Sequence, residues 1–173
     1  SRLALAVVHA GAPGMQVENL PALPLMPDVG HARLHLHNAH CERLAGDGWA
    51  AYVKPFRSIE DVHVLTALMA WSFGVGHECA WPQALQLRLL ALLSGCAEVA
   101  RLDPSAAATH VLLAGLFTQQ QALRPELDAA FAAGPSAWAQ LWQRDQNLLQ
   151  VASSARAKRL EKAFLTLGLD PGQ

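Results

Sequence analysis

The chain has 173 residues, 52% of them hydrophobic and only 16% charged, against about a quarter charged in ordinary globular domains, which excludes wholesale disorder. Thirteen Lys and Arg against fourteen Asp and Glu leave a formal charge of −1, so no general attraction to nucleic acid or to anionic membranes is expected.

Residues 1–57 are punctuated by Pro13, Pro21, Pro24, Pro27 and Pro55 and by Gly11, Gly14, Gly30, Gly46 and Gly48, too often for long helices. Loops and two or three short strands are predicted there: Leu3–His9, Ala32–Asn38, where Ala32, Leu34 and Leu36 alternate with Arg33, His35 and His37, and a weaker Ala50–Val53. From Ser58 the character turns helical. Ser58 is expected to cap a first helix, with Glu60 and Asp61 in its first turn and Gly74 and Gly76 ending it. Pro82 opens a second helix to about Leu102, and Asp103-Pro104 a third to about Leu123. Pro125 to Ala133 reads as a short fourth, and Ser136 to Leu167 as a fifth, with a kink at residues 152–155. The fold class is therefore mainly α: a five-helix unit over about 58–167, within a 58–173 domain, preceded by an irregular 1–57 segment packed on the helices.

The second predicted helix is apolar around most of its circumference, and segments 62–73 and 106–117 are nearly as apolar. Three such helices are hard to cover within one small domain: either two outer helices and the N-terminal part do the covering, or a protein partner or homo-oligomer helps. No apolar stretch reaches the roughly 20 residues of a membrane-spanning helix. Leu3–Val8 is shorter than a secretory core, and three scattered cysteines form no disulfide framework, so a reducing, cytoplasmic setting is expected. With 32 Ala and 29 Leu, the composition is compatible with a bacterial protein.

Four of the eight histidines fall between His31 and His40. On a strand His35 and His37 share a face, and two imidazoles so placed can chelate Zn, Cu, Ni or Fe if Glu42 or His77 completes the site. The plain alternative is a solvated strand face. The local pattern Gly30, His35, His37, Glu42, Gly48 is similar to the first metal-binding motif of the cupin family, which would make the two histidines and the glutamate ligands. A cupin barrel needs about eight strands, whereas two thirds of this chain reads as helix, so the family is not carried over.

Arg88 lies opposite the polar stripe of its helix and calls for an internal salt bridge or an interface partner. Trp138 and Trp142, one turn apart, suit either a core or an interface; Arg144, Lys158 and Lys162 form a basic strip with Arg159 at its edge. His63 and His110 read as core histidines satisfied by backbone or a neighbour, and His77-Glu78-Cys79 as a loop between apolar helices. No GxSxG elbow, phosphate loop, dinucleotide fingerprint or HExxH helix occurs. The expected function is a non-enzymatic protein-interaction or assembly role with no cofactor, the alternative being a transition-metal protein or metalloenzyme built on His35 and His37.

Overall fold

The computed structural model describes residues 3–170, and its contacts divide the chain between Ser1–Pro55 and Phe56–Gln173. The first unit holds two separate antiparallel ladders. One joins β1 (Ala6–Val7) to β4 (Glu42–Arg43); the other joins β2 (Met15–Asn19) to β3 (Ala32–Leu36). Leu3–His9 thus contributes only two strand residues. The predicted Ala32–Asn38 strand stops at Leu36, because Asn38 turns to a φ of +51°. β2 escapes a sequence reading because only Met15 and Val17 mark its alternation between Gly14 and Pro21. Gly14 is required where it stands: its φ is +80°, and a Cβ would overlap the His37 carbonyl beside it. Ala50–Val53 is no strand; Trp49–Val53 winds as a π-helical turn into the first helix.

The second unit is helical: α1 (Lys54–Glu78), α2 (Gln83–Val99), α3 (Ala107–Ala133), α4 (Ser136–Asp145) and α5 (Ser153–Leu167), with a 3₁₀ turn over Gln146–Gln150. α1 starts four residues ahead of Ser58, since Pro55 fits a first helical turn where its missing N–H is no loss. Ser58 is buried, and its hydroxyl accepts from Arg159 Nη1 at 2.9 Å instead of capping. Nor do Gly74 and Gly76 end the helix. The indole of Trp81 folds back so closely that a Cβ on Gly76 would lie 2.7 Å from it. The Trp81 N–H donates to the Gly76 carbonyl at 2.8 Å and the Ala80 N–H to His77 at 3.3 Å, a Schellman closure with Ala80 at φ +53° in the place usually held by glycine.

α3 continues through Pro125, merging two predicted helices. The proline leaves the Gln121 carbonyl without its helical donor, but both residues are exposed, so water can serve it. Leu123, Leu127 and Phe131, buried at 3%, 0% and 1% exposure, hold both sides of the kink-prone site in one core. The last predicted helix divides instead, at 146–152. Its irregular turn is held by Arg124 Nη2, which donates to Gln146 Oε1 at 2.6 Å and Asn147 Oδ1 at 3.1 Å, and by Arg156 Nη2, which donates to the Leu149 carbonyl.

α3 is the central element, packed against α2, α4 and α5. Leu65 and Met69 of α1, Leu89, Leu92 and Cys96 of α2, and Leu127 and Phe131 of α3 are fully enclosed. No helix among the described residues is long and apolar enough to cross a membrane.

Candidate functional site

The β2–β3 ribbon carries the histidine cluster, and its register fixes what each face presents. Met15 opposes Leu36, Gln16 opposes His35, Val17 opposes Leu34, Glu18 opposes Arg33 and Asn19 opposes Ala32. Side chains alternate across a strand, so Met15, Val17, Leu34 and Leu36 share one face while Gln16, Glu18, Arg33 and His35 share the other. On the polar face Glu18 is the hub: its Oε2 accepts from Arg33 Nη1 at 3.1 Å and from His35 Nε2 at 2.9 Å. On the apolar face Val17, Leu34 and Leu36 are 54%, 57% and 51% exposed.

The backbone is equally one-sided. The Leu20 N–H donates to the His31 carbonyl and the His37 N–H to Gly14, both at 2.8 Å, so the bonded pairs are the even-numbered residues of β2 with the odd-numbered residues of β3. The N–H and C=O groups of Ala32, Leu34 and Leu36, and those of Val17 and Asn19, therefore point outward along edges that no third strand covers among the described residues, while the Met15 N–H donates to the Ala12 carbonyl at 3.0 Å.

This geometry accounts for His35 without a metal ion. Its imidazole is engaged by Glu18, β3 ends before His37, Glu42 belongs to the other ladder, and His77 lies in the last turn of α1 in the second unit. Among the described residues no three His, Cys, Asp or Glu side chains gather as a metal site.

The other expected residues belong to the helical unit. Trp142 is a core residue, 2% exposed, rather than an interface anchor. Its ring stacks on Phe131 at 4.6 Å, and its Nε1 donates to Asp128 Oδ1 at 2.7 Å, which satisfies the indole at the core's margin. Trp71 joins that stack, Trp138 meets Trp71 edge-on, and Trp81 meets Phe131 edge-on at 4.9 Å. Arg88 pairs with Glu126 across α2 and α3 at 2.5 Å; both side chains are about half exposed, so the pair is internal but not buried. Arg144 is bound by the neighbouring Asp145, whereas Lys158 and Lys162 lie exposed on α5.

Arg159 does not edge the basic strip; it turns inward. Asp61, buried in α1, accepts from Arg156 Nη1 at 3.1 Å and from Arg159 Nη2 at 2.5 Å, and the Arg156 guanidinium also sits 4.1 Å over the Phe117 ring. The sequence signal for this network was faint: Arg156 interrupts an apolar stripe, but nothing local ties it to a carboxylate 95 residues away. Beside it, His110 Nε2 donates to the Pro104 carbonyl at 2.9 Å; burial pushes its pKa below the usual value, against the pull of that carbonyl. His63 Nδ1 meets the Ile59 carbonyl at 2.7 Å, but on an exposed face rather than in the core.

One cleft of about 480 Å³ opens between the α1–α2 turn and the end of α3, lined by Cys79, Trp81, Leu85, Ala130 and Glu126 among others. His77 and Glu78 are the last residues of α1, not a loop, and only Cys79 of the expected trio reaches this cleft. Its lining is largely alanine and its one carboxylate is already paired with Arg88. No protein-family model, curated protein or solved structure matches the chain.

Proposed function

We propose that the protein is a protein-binding module whose N-terminal ribbon is covered by a partner. The observation that carries this reading is that, among the described residues up to Pro55, only Gly48 is buried, while Val7, Val17, Leu20, Leu23, Val29, Leu34 and Leu36 are exposed. A two-stranded sheet is marginal in water, and a unit of this size without a core needs a staple or a covering surface. Cys41 is a free, exposed thiol, so it staples nothing. The outer face of α2 supports the same reading, since Leu87 and Leu90 are 56% and 42% exposed beside Ala84, Ala91 and Ala97.

The test is site-specific photocrosslinking in the native host. A benzoylphenylalanine at Val17 or Leu34 should give a discrete adduct, whereas the same probe at Gln16, on the opposite face, should not. The partner identified in that adduct, once purified, should bind at least tenfold more weakly to Val17→Lys. Absence of any adduct from both apolar positions overturns the reading.

A further inference from the structure

We infer that the ribbon takes up its partner as an added antiparallel strand on the β3 edge, and that the strand is an extended segment alternating acidic and apolar residues. This rests on the protein-binding reading above. Three observations choose the edge and the chemistry. Along β3 the outward backbone groups belong to Ala32, Leu34 and Leu36, a run free of the lysines and prolines that proteins use to block strand addition. An incoming strand finds a donor and an acceptor at every second residue, and its own apolar side chains pack beside Leu34 and Leu36, covering the outer flank of each.

Charge separates the two edges. On the polar face β3 presents the Arg33 guanidinium and the His35 imidazole, which share a single carboxylate, Glu18 of β2. Arg33 remains 61% exposed in its side chain, with donors to spare. An acidic residue on an added strand would lie opposite the Arg33 guanidinium, an arrangement that favours unlike charges, and the next one on that face opposite the polar His35 side chain. The β2 edge presents neutral Gln16 and the carboxylate of Glu18 instead, and Glu18 repels the same segment.

Labelled synthetic peptides added to the full chain test this by fluorescence anisotropy. A nine-residue peptide alternating Glu and Val, with proline at both ends to prevent self-assembly, should bind saturably, and its Lys and Val counterpart at least tenfold more weakly. For antiparallel addition the amides facing β3 are those of the valines, so N-methylation of the valines should abolish binding while N-methylation of the glutamates spares it. Arg33→Gln should narrow the difference between the two peptides; because the N-methyl series uses the unaltered protein, a folding defect in that variant does not decide the matter. Equal binding of the acidic and basic peptides, or binding that survives valine methylation, overturns the inference. Crosslinks from Val17 and Leu34 with no peptide bound would sink the strand-addition proposal and leave the protein-binding reading standing. Loss of both would sink the two together.

Discussion

Asp61 is the position where one atom-level change should cost most. Its carboxylate accepts from two guanidiniums, Arg156 and Arg159, and the three side chains are only 10%, 16% and 18% exposed. Asp61→Ala leaves two positive charges facing each other in a poorly solvated seat and frees the Ser58 and Leu149 contacts that position them. Removing one partner of a buried ion pair costs about 3–5 kcal/mol, and the residual exposure here argues for about 3 kcal/mol. For a chain of this size that is a fall of about 6–12 °C in Tm. The internal control is Glu98, paired with Arg101 at 72% exposure on both sides, where Glu98→Ala should cost less than about 1 kcal/mol. Urea unfolding followed by tryptophan fluorescence reads both, because Trp71, Trp81, Trp138 and Trp142 all lie in the helical unit. Replacing Asp61, Arg156 and Arg159 together with Leu and Met should recover much of the loss, since the penalty lies in the unpaired charge rather than in the missing pair. If Asp61→Ala falls within about 1 kcal/mol of the parent, the guanidiniums find water or another carboxylate, and the proposed seat for α5 is wrong.

Ala80→Gly should stabilise by about 0.5–1 kcal/mol in the same assay, because the left-handed conformation at φ +53° strains any residue with a Cβ; an unchanged midpoint would refute strain at this cap. Gly76→Ala should do the opposite by about 1–3 kcal/mol, since the new methyl meets the Trp81 indole. Burial lowers the His110 pKa, with Arg159 adding to the shift and the Pro104 carbonyl and Asp103 opposing it. The unfolded chain therefore binds more protons: stability is full above pH 6.5, where the free imidazole titrates, and falls as the pH drops below it. The difference in urea midpoint between the parent and His110→Gln should change from pH 7.5 to 5; a constant difference refutes the assignment. Burial raises the Cys96 thiol, opposed by its bond from Thr66, so a thiol reagent at neutral pH should label exposed Cys41 and leave Cys96 until the protein unfolds.

The mainly helical character after Ser58 was legible because it rests on periodicity and on Leu and Ala content, which act over a few turns. What failed were the punctuation marks. Gly76 read locally as a stop and Pro125 as the start of a new helix, yet each lies inside one, because packing that the local pattern does not show sets the balance: the Trp81 indole needs the space that only glycine leaves, and the burial of Leu127 and Phe131 outweighs the amide that Pro125 lacks. The residues singled out for an interface divide for the same reason. Trp142 and Arg88 are anomalous on their own helices, and the sequence shows the anomaly without the partner. Phe131 and Asp128 answer the first, Glu126 the second.

The histidine cluster follows the opposite course. Alternation over residues 32–38 placed a strand there, and the ladder agrees as far as Leu36, but the chemistry read from it turned on an unrecognised strand. Met15–Asn19 brings Glu18 opposite Arg33 and within reach of His35, so an imidazole that looked available for a metal is held by a carboxylate. The same strand leaves the apolar half of the ribbon uncovered. On the polar face Glu18 already engages the His35 imidazole, whereas on the other face three aliphatic side chains stand about half exposed on a two-stranded sheet. The partner proposed above would therefore meet the face opposite His35, with Leu34 and Leu36, the residues that made the strand legible in the first place.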